Sequence, residues 1–251
     1  MTYCCALRLN HGLVFMSDTR TNAGVDNFSK TRKMFTWEVP GERIITLMTA
    51  GNLATTQSLV SLLEERSKAA DERNPTILAQ PTMFQVARLV GQTLKEVIGE
   101  STGEGAENQS KFRATIIVGG QIKGGVPTLF LVYPEGNFVE VTEETPFFQT
   151  GETKYGKPIL VRAYDPDMSF EEAVKLLLVS FDSTLKANLS VGLPFDLVTV
   201  KNDALTIHHE RRIEADDPIY TRISSRWGEA LKTAFRALPP ILLDPLAHKK
   251  D

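Results

Sequence analysis

The chain has little sulfur chemistry: of its 251 residues only Cys4 and Cys5 carry thiols, and they are neighbours. Adjacent cysteines rarely meet disulfide geometry, so no covalent framework is expected, and a reducing cytosol is the expected compartment. A redox role is set aside in favour of two small core residues of a strand. Nowhere do about 18 apolar residues run together, so no membrane-crossing helix is expected. Arg8, Asn10, His11 and Asp18 interrupt the amino-terminal stretch, which therefore does not read as a secretory signal, and the mature protein is expected to start where the chain starts. Basic residues are scattered and the formal net charge is -3, so the basic face that nucleic acid requires is missing. His208 and His209 are adjacent, but strand neighbours point to opposite faces and no cysteine or carboxylate cluster completes a site. No metal and no cofactor are expected.

What remains is an ordinary globular composition, 42% hydrophobic and 24% charged, enough for one large domain without staples. The expectation is a single domain over residues 1–251, with a C-terminal extension from about residue 210. Tyr3 to Leu9 and Leu13 to Ser17 read as strands joined by the hairpin signal Asn10-His11-Gly12. Lys33 to Val39 and Arg43 to Ala50 form a second pair around Pro40-Gly41-Glu42. Both faces of these strands carry apolar residues, as in a sheet covered on two sides. The period then changes, and helices are expected over about 52–70 and 81–98, followed by an exposed loop over 99–110. Strands return at 113–119, 128–133 and 138–142, helices at 154–163 and 169–189, strands at 196–200 and 204–208, and a last helix at 225–238. Helices arrive in pairs rather than alternating singly with strands, which argues against a doubly wound fold. The expected class is α+β: a four-layer α-β-β-α sandwich of two antiparallel sheets.

One set of residues carries chemistry. A threonine at position 2 becomes the first residue once Met1 is removed, and then offers a hydroxyl and a free α-amine on one residue. The amine, with an ordinary pKa of about 7.7–8.0, is a usable base near neutral pH. Asp18 ends an apolar strand and needs a cation to offset its desolvation. Lys33, opening the third strand on the face of Phe35 and Trp37, is the natural counter-ion. Such a pair sets a positive charge near Thr2 and depresses the pKa of its amine or hydroxyl. Gly51, between strand and helix, lets a substrate carbonyl approach and offers an N–H to an oxyanion beside a helix N-terminus.

Thr2 at a strand start, Gly12-Leu13-Val14-Phe15-Met16-Ser17-Asp18-Thr19-Arg20, Lys33-Met34 and Thr49-Ala50-Gly51 together resemble the proteasome β-subunit family of N-terminal nucleophile hydrolases, over about residues 2–200. Within it, the resemblance is strongest to the bacterial Anbu (ancestral β-subunit) branch. The resemblance implies Thr2 as catalytic nucleophile, Asp18 and Lys33 as its charged partners and Gly51 as oxyanion donor. It implies that Arg20-Thr21-Asn22-Ala23-Gly24 pairs with substrate backbone, with Arg20, Asn22 and Gly24 as binding positions. Two departures stand out. Glu152 replaces the serine of the family's Gly-Ser-Gly turn, and Ala187 stands where an aspartate precedes Ser190. Glu152 and Ser190 are supporting candidates. The implied function is a cytoplasmic, self-assembling threonine-type peptidase acting on polypeptide or peptide through an acyl-enzyme, its subunits forming a ring or ring-like stack. No residue identifies an unfoldase partner. A weakly active or inactive scaffold subunit and a small-molecule amidase of the same catalytic type stay open at this point.

Overall fold

The computed structural model describes residues 2–22, 28–68, 75–102 and 110–241. Two five-stranded antiparallel sheets form its centre. The first runs β10-β1-β2-β11-β12, where β1 is Tyr3–Leu9, β2 Gly12–Asp18, β10 Phe147–Gly151, β11 Phe195–Lys201 and β12 His209–Ile213. The second runs β5-β6-β7-β8-β9, from β5 (Met34–Val39) and β6 (Arg43–Gly51) to β7 (Ala114–Ile122), β8 (Thr128–Val132) and β9 (Phe138–Glu140). A separate hairpin pairs β3 (Arg20–Asn22) with β4 (Phe28–Lys30).

The pleat sorts the side chains. On β1, Cys4 and Ala6 face the second sheet and join Phe15, Met34, Ile44, Met48 and Ile117 in the middle of the sandwich. Tyr3, Cys5 and Leu7 alternate with them and face outwards. Those outer residues are covered by α3 (Lys157–Ala163), α4 (Phe170–Ala187) and the start of α5 (Pro218–Arg236), through Leu160, Leu177, Phe181 and Tyr220. The second sheet's outer face, with Ile45, Leu47, Ile116 and Val118, is covered by α1 (Leu53–Lys68) and α2 (Met83–Thr102). Each apolar face thus finds a partner, and the architecture is the expected α-β-β-α sandwich.

Several boundaries differ from the sequence reading. Strand β5 begins at Met34, leaving Lys33 just ahead of it. Helix α2 continues four residues past Ile98, into the expected loop, since Ile98 is buried and no proline stops the turn. The strand expected at 204–208 is a turn: Asp203 and Leu205 take positive φ, and Gln121 holds Asp203 through two 2.8 Å hydrogen bonds. Pairing with β11 resumes at His209, which makes the Glu210-Arg211-Arg212 run an exposed edge strand. Helix α5 starts seven residues early because Asp217 accepts from the N–H groups of Ile219 and Tyr220, and Pro218 suits the first turn. Strands β3, β4 and β10 were not anticipated.

Cys4 and Cys5 are free and fully buried. Burial pushes both thiols far above their ordinary range, the Asp18 carboxylate adding to the effect at Cys4 and Cys4 to that at Cys5. Thiolate is the reactive form. Iodoacetamide at pH 8 should therefore label neither thiol in the native protein and both in denaturant, as read by intact mass.

Candidate active site

Thr2 enters the first sheet at the head of β1, 8% exposed. Its carbonyl accepts from the Glu152 N–H at 2.7 Å. Gly151, at φ +85°, makes this closeness possible: a Cβ there would lie 1.9 Å from the Thr2 carbonyl oxygen. The next N–H, of Tyr3, donates to Asp18 Oδ1 at 2.9 Å. Thr2 is thus held through main chain from both sides, β10 and β2.

Asp18 is completely buried at the end of β2. Lys33 Nζ lies 2.7 Å from Asp18 Oδ1 and 2.6 Å from the Arg20 carbonyl oxygen, while Asp18 Oδ2 accepts from the Gly192 N–H at 3.3 Å. Burial pushes the Asp18 carboxyl above its ordinary range; the Lys33 ammonium and the N–H groups of Tyr3 and Gly192 pull it back. Lys33 itself is tied to β6, its carbonyl accepting from the Thr49 N–H at 2.9 Å.

Gly51 ends β6 opposite Ala114, at φ +120°, and a Cβ would stand 2.4 Å from the Arg113 carbonyl oxygen. Asn52 caps α1, its Oδ1 accepting from the Thr55 N–H at 3.0 Å. The helix therefore turns its positive end towards the site. Thr2, Lys33 and Gly51 line one cavity of about 250 Å³, with Thr21, Arg32 and Phe35 also in its wall. A larger apolar groove between α4, β12 and α5 contains none of these groups.

The structure therefore brings Thr2, Asp18, Lys33 and Gly51 together. The remaining sequence candidates fall differently. The Arg20 side chain leaves the cavity: Nη1 donates to the Leu189 carbonyl at 2.8 Å, and the guanidinium packs on Gly192. Its substrate reading rests on main chain alone, as does that of Asn22, which pairs with Phe28 in the hairpin. Gly24 lies outside the described residues. Glu152 meets Thr2 through its N–H. Ser190 is half-buried and donates its N–H to Asn188 Oδ1 at 3.0 Å; from its turn, Gly192 is the residue that reaches Asp18. Sequence reasoning missed Gly192 and Arg32, while Thr21 belongs to the segment expected to pair with substrate backbone. Gly192 stood two residues from Ser190, but its N–H is a main-chain donor that no side-chain pattern reveals. Among the described residues no group of three or more His, Cys, Asp and Glu is placed to hold a metal ion.

A threonine opening a strand beside a buried lysine–carboxylate pair, on this sandwich, defines the N-terminal nucleophile hydrolase fold. The comparison with known proteins agrees: the proteasome subunit family matches residues 2–200, and the chain belongs to that family. It is similar to Anbu, the ancestral β-subunit, from Yersinia bercovieri, at 45% identity and TM-score 0.90 over 96% of this chain and 100% of that one. The helical assembly of the Anbu complex from Pseudomonas aeruginosa gives 42% identity and TM-score 0.87, over 99% and 100%. Among curated proteins, proteasome subunit beta 2 of Pyrobaculum calidifontis is 25% identical over 79% of this chain and 88% of its own length.

Removing one partner of a buried ion pair strands a charge, which costs about 3–5 kcal/mol, whereas removing both costs much less. Lys33→Met should destabilise the protein by about that amount in urea unfolding. The double variant Asp18→Asn, Lys33→Met should recover most of the loss.

Proposed function

We propose that the chain is a threonine-type peptidase subunit that self-assembles in the cytoplasm and cleaves peptide bonds through an ester on Thr2 once Met1 is gone. The observation that carries this is the sharing of one cavity by Thr2, Gly51 and a Lys33 ammonium anchored on buried Asp18. In the proposed reaction the Thr2 hydroxyl attacks a peptide carbonyl while its proton passes to the Thr2 amine. The Gly51 N–H and the positive end of α1 stabilise the oxyanion. Collapse breaks the C–N bond, the leaving amine takes the proton, and an ester remains on Thr2 Oγ. Water, deprotonated by the same amine, then attacks the ester; collapse returns a proton to Oγ and releases the acid. Asp18 and Lys33 act as positioning residues, their charge favouring the neutral amine over its protonated form. The main chain of Arg20 and Asn22 is the proposed edge against which substrate lies as an added strand.

Self-assembly is supported by α5. Of its side chains only Tyr220 is buried. Leu231 and Phe235, four apart on the helix, are 50% and 75% exposed, and Leu238, just past its end, is 63% exposed. A contiguous apolar stripe of this kind marks an interaction surface, and one similar structure is described as a helical assembly. On this reading residues from about 210 form an extension of the single catalytic domain, and a second copy covers the stripe.

A second reading, a scaffold that turns over little, is favoured by Ala187 in place of the family's aspartate and by the merely main-chain contact of Glu152. It predicts that Thr2→Ala leaves the cellular role intact.

Four outcomes test the reading, three for the peptidase and the last for its assembly. Intact mass of the native protein should show Met1 absent, and Thr2→Ala should abolish hydrolysis of labelled peptides without altering the unfolding transition. The free amine works as a base only when unprotonated, so kcat/KM should be lost as pH falls and regained through an apparent pKa below about 7.7. Leu231→Glu with Phe235→Glu should lower the assembled mass seen by light scattering while preserving the fold.

A further inference from the structure

Within the cavity beside Thr2, the charge is unevenly distributed. Its described walls contain two cationic side chains, Lys33 and Arg32, and no carboxylate. The first turn of α1, which faces it, has no acidic residue either, so the helix end adds uncompensated positive potential. Lys33 is committed to Asp18 and to the Arg20 carbonyl. Arg32 is not held in the same way. Its Nε donates to the Met34 carbonyl at 2.7 Å, which fixes the guanidinium beside the cavity. Among the described residues the nearest carboxylate to its Nη2 is Glu210 on β12, at 3.6 Å, with both side chains more than half exposed. That separation exceeds a hydrogen bond, and exposed pairs of this kind contribute little. Asp196 also faces Arg32 electrostatically, but its ion pair is with Arg212, at 3.6 Å, and Arg212 and Lys30 in turn share Glu214.

Resting on the peptidase reading above, we propose that this cavity selects peptides with an acidic residue on the acyl side of the cut bond, and that Arg32 reads the carboxylate. A carbonyl placed between Thr2 and Gly51 has its own residue's side chain only two bonds away, so that side chain enters the same cavity. At about 250 Å³ the space accommodates one side chain. A glutamate stem passes the apolar walls Phe35 and Leu53, and its carboxylate meets the terminal nitrogens of Arg32, which form paired hydrogen bonds with carboxylates. Gln57, in the same wall, offers a further donor. A lysine side chain would instead meet two cations and a helix N-terminus. Phe35 and Leu53 alone would favour leucine, and the difference between the two cases is measurable.

The test uses the assembled protein and peptides that differ only at the residue before the cut bond: Glu, Asp, Gln, Leu and Lys. Glutamate should exceed glutamine by about tenfold in kcat/KM, lysine should be slowest, and the advantage should shrink with added salt. Arg32→Gln should bring the Glu-to-Gln ratio towards one, Arg32→Glu should move the preference to lysine, and Glu210→Gln should enlarge the acidic preference by removing a competitor for Arg32. Equal rates for Glu and Gln, a leucine preference, or a ratio that survives Arg32→Gln would overturn the proposal. A parallel arm uses peptide vinyl sulfones bearing Glu or Leu at the same position, with adducts on Thr2 read by intact mass. Adducts or turnover without carboxylate preference overturn the Arg32 proposal and keep the peptidase reading; neither adduct nor turnover overturns both.

Discussion

The structure around Thr2 depends on the buried pair of Asp18 and Lys33. A carboxylate at the closed end of a strand, wholly out of water, is tolerated because an ammonium stands 2.7 Å away and two main-chain N–H groups complete its shell. Four stretches of chain converge on those atoms: the head of β1, the end of β2, the approach to β5, and the turn before β11. Together they fix a charge whose position is defined by both sheets, because Lys33 is bonded to β6 through Thr49 while Asp18 belongs to β2.

Glycine supplies the complementary constraint. Where the ion pair needs groups close together, Gly51 and Gly151 let backbones approach within distances that any side chain would block, and both have φ values that suit glycine. One stands where the second sheet hands over to α1, the other where β10 meets the first residue of β1. The two sheets thus present their ends to a common space.

The sandwich was legible because its signals are periodic. Apolar runs on both faces of β1, β2 and β6, and the change to helical spacing after Gly51, extend over many residues, so a local misreading leaves the pattern intact. Asp18 and Lys33 were legible for another reason: a charge among apolar neighbours needs a partner, and the sequence offered one. Short pieces were legible only in part. β8 and β9 were read, whereas β3, β4 and β10, of three to five residues, leave little room for a period to emerge. The turn at 204–208 resembled a strand because Leu205 and Ile207 alternate with polar residues, while the hydrogen bonds from Gln121 that bend it come from the other sheet. Arg20 looked like a binding residue by position, yet its side chain packs against Gly192, a contact across more than 170 residues that composition cannot express.

That distant contact has its own consequence. Because Asp18 Oδ2 accepts from the Gly192 N–H, the carboxylate completes its shell only when the turn before β11 is in place. An incompletely folded polypeptide therefore lacks the completed carboxylate shell beside Thr2, and the charge at that place is set only in the finished fold.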